Sequence, residues 1–262
     1  MKISVIGVGA MGGAIVEGLV KSNKILPKDI TVSAPHKTTT DKFATLGVNA
    51  TNDNVKAVEG AELIVVAVKP WLAETVLGEI KNHIDYKRQA IISVMAGVSG
   101  EKLLNMLADN SGNKPNVYVV IPNIAIAQLC SMNFIVPIKG DENTTEKIKA
   151  LFDATGLSIL TEEKLLGAGT TLASCGIAYA MRYIRAASEG GVELGFKASL
   201  ARDIVLQTVK GAVSLLQANG NHPEAEIDKV TTPGGLTIRG LNEMEHAGFT
   251  SAVIRGLKAG VK

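Results

Sequence analysis

Six residues near the amino end, Gly7-Val8-Gly9-Ala10-Met11-Gly12, repeat glycine at the spacing that cradles a pyrophosphate. The first glycine permits a tight turn, the second lets a phosphate approach the backbone, and the third lets a helix pack closely on a strand. The apolar run at 2–6 and the helical pattern Met11, Ile15, Leu19 supply strand, turn and helix in the required order. Pyrophosphate would then rest on the unpaired N–H groups of a helix N-terminus. About 20 residues on, an Asp or Glu at the tip of the second strand would bind the ribose 2′-hydroxyl of NAD. This chain has Val32, Ser33, Ala34, Pro35, His36 and Lys37 there. With no carboxylate available, and with Ser33, His36 and Lys37 able to host a 2′-phosphate, NADP is the expected cofactor and NAD the second choice. Ala67-Val68-Lys69-Pro70 closes a later strand where Lys69 can reach the cofactor ribose, and Asn54 upstream can hydrogen-bond the adenosine. By residue type alone these last two are also ordinary loop residues.

A second glycine turn, Thr231-Thr232-Pro233-Gly234-Gly235-Leu236-Thr237, precedes an amphipathic pattern of Ile238, Leu241 and Met244. Free backbone followed by a helix N-terminus makes another anion site, and a carboxylate suits it. Thr237 either caps that helix or bonds a ligand. A nucleotide site and a carboxylate site together suggest hydride transfer, which needs little acid or base help when the acceptor is a protonated imine. The four histidines (His36, His83, His222, His246) lack metal-ligand spacing, so no metal is expected. Ser174-Cys175-Gly176 does not fit a nucleophile elbow.

The elements that must hold these residues follow from the apolar pattern. Runs at 2–6, 30–34, 63–68 and 90–94 lack alternation, as strands covered on both faces do, and they alternate with helical stretches. That pattern predicts an α/β, doubly wound parallel sheet of the Rossmann type over residues 1–158, with 117–121 and 133–137 extending it. From 159 to 262 the pattern turns all-helical, with long helices expected over 162–194 and 199–218, stopped by Gly195 and Gly220, and further helices from Pro223. Those long helices are apolar around more of their circumference than one core face needs, which suggests a subunit interface.

The 262 residues carry 46% hydrophobic and 4% aromatic residues, enough for a mostly aliphatic core. A net charge of +2, spread evenly on both sides of residue 158, argues against nucleic-acid and anionic-membrane surfaces and for a small-molecule partner. Two cysteines, Cys130 and Cys175, make no disulfide framework, and the start carries no secretion pattern, so a cytoplasmic protein is expected.

In these residues the chain resembles the pyrroline-5-carboxylate reductase family, which completes proline synthesis. The resemblance rests on I-G-V-G-A-M-G-G-A-I at the start, A-V-K-P at 67–70, S-V-M-A-G-V at 93–98, P-N at 122–123 and D-K-V-T-T-P-G-G-L-T-I-R-G-L at 228–241. It implies a Rossmann domain, an all-helical domain that forms a homodimer, often rings of dimers, and reduction of 1-pyrroline-5-carboxylate to L-proline with NADPH or NADH. Carried over by position, Gly7, Val8, Gly9, Ala10, Met11 and Gly12 hold pyrophosphate, with Ala34 and His36 near the 2′ position. Asn54 and Ala67, Val68, Lys69 and Pro70 line the nucleotide, with Met95 and Ala96 near the nicotinamide. Gly234, Gly235 and Leu236 with the Thr237 hydroxyl grip the substrate, and Thr237 takes the catalytic role.

The family usually reads R-V-M-P-N-T-P where this chain has Val119 to Ala125, and G-S-G-P-A-Y where it has Ser174 to Tyr179. These departures leave open a divergent imine reductase and a non-catalytic NADP-binding protein of the same fold. A β-hydroxyacid dehydrogenase would need a lysine acid or base on the long helix, which carries Arg182 and Arg185 but no lysine beyond Lys164.

Overall fold

A computed structural model describes residues 1–261, and they divide into two compact units, Met1–Ser174 and Cys175–Lys262. In the first, β1 (Ile3–Ile6), β2 (Ile30–Ser33), β3 (Asn49–Thr51), β4 (Leu63–Val66), β5 (Ala90–Ser93), β6 (Asn116–Ile121), β7 (Ser131–Lys139) and β8 (Gly156–Leu160) form one sheet. Its order is β3-β2-β1-β4-β5-β6-β7-β8. Neighbours from β3 through β6 pair in parallel, β7 runs antiparallel to β6, and β8 pairs in parallel with β7. Reversal of strand order on either side of β1 creates the crevice where such sheets take ligand.

The four residues of β1, β4 and β5 are each buried, so both faces of the sheet must be covered. One face gathers Val5, Val32, Val65, Ile92 and Val120 with Ile15 and Leu19 of α1 (Ala10–Lys21), Phe43 of α2 (Lys37–Ala44) and Phe152 of α6 (Glu142–Asp153). The other gathers Ile6, Ile64, Val66, Ile91 and Val119 with Val58 of α3 (Asn54–Val58), Leu77 of α4 (Ala73–Ile80) and Leu103 of α5 (Gly100–Met106). Successive strand residues feed opposite clusters, which is why these runs show no polar alternation.

Two strands absent from the sequence expectation lie at the sheet's ends. β3 is three residues with two exposed, and β8 buries only Ser158, so neither carries the apolar signal of an interior strand.

The first unit also runs past the expected boundary at 158. After β8, Glu163 Oε1 accepts from the Gly100 N–H at 2.6 Å, and Leu166 of α7 (Leu166–Gly169) and Ala173 pack on the second cluster. A Cβ on Gly169 would meet the Phe134 ring at 2.9 Å, so the chain lies directly on the sheet there. The single helix expected over 162–194 is accordingly broken into α7, a π-helical turn at Thr170–Cys175 and α8 (Gly176–Glu193).

The second unit holds α8, α9 (Ala198–Asn219), α10 (Pro223–Lys229), α11 (Leu236–His246) and α12 (Phe249–Ala259). Gly195 and Gly220 stop α8 and α9 with positive φ, at 101° and 63°. Tyr183 meets the Phe249 ring edge-on at 6.4 Å, joining α8 to α12. Among the described residues of this unit only Ala201 is buried, while Met181, Leu194, Ile204, Val213 and Leu236 stand in solvent. No helix among the described residues is long and apolar enough to cross a membrane, and they contain no cluster of potential metal ligands.

Helix α1 presses on the carbonyl of Ile126, where a Cβ on Gly18 would sit 2.3 Å from the oxygen. Gly18→Ala is expected to cost about 1–3 kcal/mol through overpacking against backbone. Gly78 in α4 has nothing within 4 Å of its Cβ direction. Gly78→Ala should therefore gain about 0.5–1 kcal/mol from lower unfolded-chain entropy. Chemical denaturation of the two variants checks both signs.

Candidate nucleotide and substrate sites

Gly7 leaves β1 at φ +87°, its N–H donating to the Ser33 carbonyl at 2.9 Å. A Cβ on Gly7 would meet Val68 Cγ1 at 2.7 Å, and one on Gly12 would lie 1.9 Å from the Gly7 carbonyl oxygen and 3.0 Å from Ala67 Cβ. Strand ends β1 and β4 and the start of α1 thus meet with room for backbone alone. Gly9 differs: nothing lies within 4 Å of its Cβ direction. It is the N-cap of α1, no side chain caps the helix, and no acidic residue stands in its first turn. The positive end of α1 therefore faces open space, with amide donors unspent.

At the tip of β2, Ser33 is fully buried and its hydroxyl donates to Asn54 Oδ1 at 2.5 Å. Ser33 is therefore committed to the protein, whereas His36, the uncapping N-cap residue of α2, and Lys37 are exposed. Ala34 is buried, its N–H directed at the Thr51 carbonyl, 3.4 Å away. Asp53 caps α3 by accepting from Val55 and Lys56, so Asn54 starts that helix with its side chain free to reach across. Its Nδ2 donates to Glu79 Oε2 of α4 at 2.7 Å. A carboxylate thus does reach the tip of β2 through Asn54. Sequence reasoning missed it because Glu79 follows Ser33 by 46 positions on a helix of the next unit of the winding.

At the end of β4, Ala67 and Val68 are half-buried against the glycine corner. Lys69 is exposed, with Nζ 6.0 Å from the ring centre of Trp71, the chain's one tryptophan, itself 76% exposed in the turn Pro70–Leu72. Met95 is only 2% exposed and belongs to the core, so its side chain packs inward, while Ala96 is exposed.

Pro122 and Asn123 tie the sheet to the π-helical turn. Ser174 Oγ donates to the Pro122 carbonyl at 2.9 Å, and Asn123 Nδ2 points at the Ala173 carbonyl at 3.5 Å. Asn123 Oδ1 accepts from Ala125, and its N–H donates to Ser131 Oγ.

In the second unit, Gly234 takes φ +70° and Gly235 is the N-cap of α11, bonded through its N–H to the Thr232 carbonyl at 2.9 Å. A Cβ on Gly235 would lie 2.5 Å from Thr232 Oγ1. Arg239 Nη2 donates to the Gly234 carbonyl at 2.8 Å and holds the turn from one helical turn ahead, a brace that the sequence pattern did not single out. No side chain caps α11 and no acid lies in its first turn. Thr237 lies inside the helix rather than at the cap, is exposed, and its hydroxyl makes no bond among the described residues; Leu236 is 85% exposed.

Comparison with known proteins places this geometry. Residues 163–262 match the model for pyrroline-5-carboxylate reductase dimerisation, and residues 2–97 match the model described as NADP oxidoreductase coenzyme F420-dependent. Pyrroline-5-carboxylate reductase of Methanosarcina acetivorans is 34% identical over 97% of this chain and 94% of its own. The chain belongs to the pyrroline-5-carboxylate reductase family. Pyrroline-5-carboxylate reductase 1 of Dictyostelium discoideum is 38% identical over 97% of the chain, which spans about half (48%) of that relative. The Plasmodium falciparum pyrroline carboxylate reductase solved with NADP bound superposes with a TM-score of 0.88 at 26% identity, covering 100% of this chain and 95% of that one.

Within this family the departures have structural places. Val119 is a buried core residue of β6 on the second cluster, so an apolar side chain stands where the family usually has arginine. Ile124 is half exposed, and Ser174 with Cys175 ends the π-helical turn.

Because nothing but glycine fits at residue 12, Gly12→Ala must push α1 away from the Gly7 carbonyl. The expected outcome is at least about a tenfold loss of affinity for NADP⁺, near 1.4 kcal/mol, measured by calorimetry. Unchanged affinity would show that the pyrophosphate rests elsewhere.

Proposed function

We propose that the first unit binds NADPH, with NADH as the second choice, and that the second unit binds the substrate carboxylate at the 234–237 turn, in a cytoplasmic homodimer. The reaction is that of the family: reduction of 1-pyrroline-5-carboxylate to L-proline. When bound, the reduced dinucleotide supplies a hydride to the imine carbon. The residues present fit such a group, since Gly9 leaves open space at the uncompensated N-terminus of α1. The amides of Gly7 through Gly12 take the pyrophosphate, and the exposed His36 and Lys37 supply positive charge and donors for a 2′-phosphate. The Ala34 carbonyl, Asn54 and the 67–70 turn line the ribose and adenine, with Met95 contributing through its backbone and Ala96 bordering the nicotinamide.

At the second turn, the amides of Gly235 and Leu236 receive the carboxylate and the Thr237 hydroxyl oxygen accepts from the protonated ring nitrogen. The chain's contribution to rate is mainly orientation, because a protonated imine already carries the charge that draws hydride. Thr237 also holds the proton at that nitrogen as it becomes the amine of proline. The observation that carries this reading is Thr237 itself, exposed in the first turn of α11 with a hydroxyl that makes no bond among the described residues. Gly235 occupies the position where Thr237 would otherwise have a structural role, so its hydroxyl and the first-turn amides are left for a ligand. The apolar side chains exposed on α8 and α9 support pairing of two helical units, since monomers rarely leave such patches uncovered.

Purified protein with NADPH and the pyrroline should lose absorbance at the reduced-nicotinamide band. Thr237→Ala is expected to lower turnover by about a hundredfold while leaving the NADPH dissociation constant within about twofold. An equal loss of NADPH affinity would refute the division of labour between the two turns. Light scattering should give a mass at least about twice 27.4 kDa.

A further inference from the structure

We propose that Glu79 sets the balance between phosphorylated and unphosphorylated dinucleotide, acting on the adenosine end through Asn54. This rests on the cofactor reading above. The tip of β2 is where this sheet type reads the adenosine ribose. Ser33 stands at that tip, its carbonyl bonded to the N–H of Gly7, so it adjoins the glycine corner itself. From there a relay runs outward: the Ser33 hydroxyl donates to Asn54 Oδ1 at 2.5 Å, and Asn54 Nδ2 donates to Glu79 Oε2 at 2.7 Å.

The relay has one direction. A carboxylate offers only acceptors, so the amide nitrogen of Asn54 must face Glu79 and its oxygen must face Ser33, whose hydroxyl then donates. Glu79 thereby fixes which way Asn54 points. One N–H of the Asn54 amide is occupied, and one remains for a ligand.

The two cofactors meet this arrangement differently. A 2′-phosphate that accepts from Asn54 shares its donor nitrogen with a carboxylate, placing two anions on one amide, and like charges so close repel. A ribose 2′-hydroxyl that accepts from Asn54 carries no charge, so it meets no such repulsion. His36 and Lys37, exposed where β2 gives way to α2, pull the other way by favouring the phosphate. Selectivity in this chain is then a balance of one carboxylate brought in by α4 against one lysine and one histidine beside β2. Glu79 is a positioning and specificity residue and does not touch the reacting atoms.

Removing the charge while keeping the acceptor separates these roles. Glu79→Gln retains an oxygen for Asn54 Nδ2 and is exposed, so the fold is undisturbed. Calorimetric dissociation constants for NADP⁺ and NAD⁺ are expected to show NADP⁺ binding tightened about fivefold and NAD⁺ changed by less than about twofold, with the gap shrinking as salt is raised. Initial rates should follow, with KM for NADPH falling and kcat unchanged. Glu79→Ala, which releases Asn54, should weaken NAD⁺ binding as well. If the wild-type chain binds both dinucleotides and Glu79→Gln leaves their ratio unchanged, the proposal is overturned and the cofactor reading stands. If the wild-type chain binds neither, both fall.

Discussion

The corner at which β1 turns into α1 has room for backbone and nothing else. Gly12 lies so close to the Gly7 carbonyl that a methyl group would overlap it, and Gly7 itself adopts a left-handed conformation with Val68 against its open side. This crowding brings the start of α1 up to the ends of β1 and β4, so that the helix dipole and its unpaired amides are aimed out of the sheet at the strand-order reversal. Gly9, alone of the three glycines of this corner, has open space along its Cβ direction. The proposed pyrophosphate site would thus owe its form to packing density rather than to any charged side chain. The same crowding explains why Gly7 and Gly12 cannot exchange roles with Gly9.

The glycine turn before α11 reaches a similar result by other means. There the backbone is free because Gly234 takes a positive φ and Gly235 tucks under Thr232, while Arg239 reaches back to clamp the turn from the helix it precedes. Both helices begin on glycine, without a side-chain cap and without an acid in the first turn. Three helix starts in this chain are built differently: Asp53, Ser99 and Asp141 cap α3, α5 and α6 with their own side chains. A capping oxygen stabilises a helix by about 1 kcal/mol. Without one, α1 and α11 leave first-turn amides that the proposed ligands would meet.

How much of this could be read from the sequence depended on how local the physics was. The glycine corner, the interior strands β1, β2, β4 and β5, and the helix stops at Gly195 and Gly220 each announce themselves within a few residues, through residue type and apolar pattern. Strands β3 and β8 did not, because a strand at a sheet's end hides one side at most and lacks the apolar run. The boundary of the first unit moved from 158 to 174 because Glu163, Gly169 and Ala173 are held by partners on α5, on β7 and in the turn after β6 that no local pattern reveals. The same holds at the site. Ser33 looked free for a phosphate and is spent on Asn54, Met95 was expected near the nicotinamide and packs its side chain into the core, and Glu79, which no pattern singled out, is bonded to Asn54. Each of these is a tertiary contact, and each changes which atoms a ligand would find.

The two units differ in what holds them together, and that difference bears on function. The first unit hides two aliphatic clusters on the faces of its sheet and has the burial of an independent domain. The second, from Cys175 onward, buries Ala201 alone among its described residues while displaying leucines, valines and aromatics on α8, α9 and α12. Five helices with so little covered surface cannot recover the entropy of ordering their backbone from internal contacts. The proposed pairing of two such units would supply the rest and tie the stability of this unit to the concentration of the chain. The 234–237 turn sits in that unit. A substrate turn whose helix is ordered only in the assembled protein would couple activity to assembly, whereas the nucleotide corner, carried by the sheet, needs no partner to form.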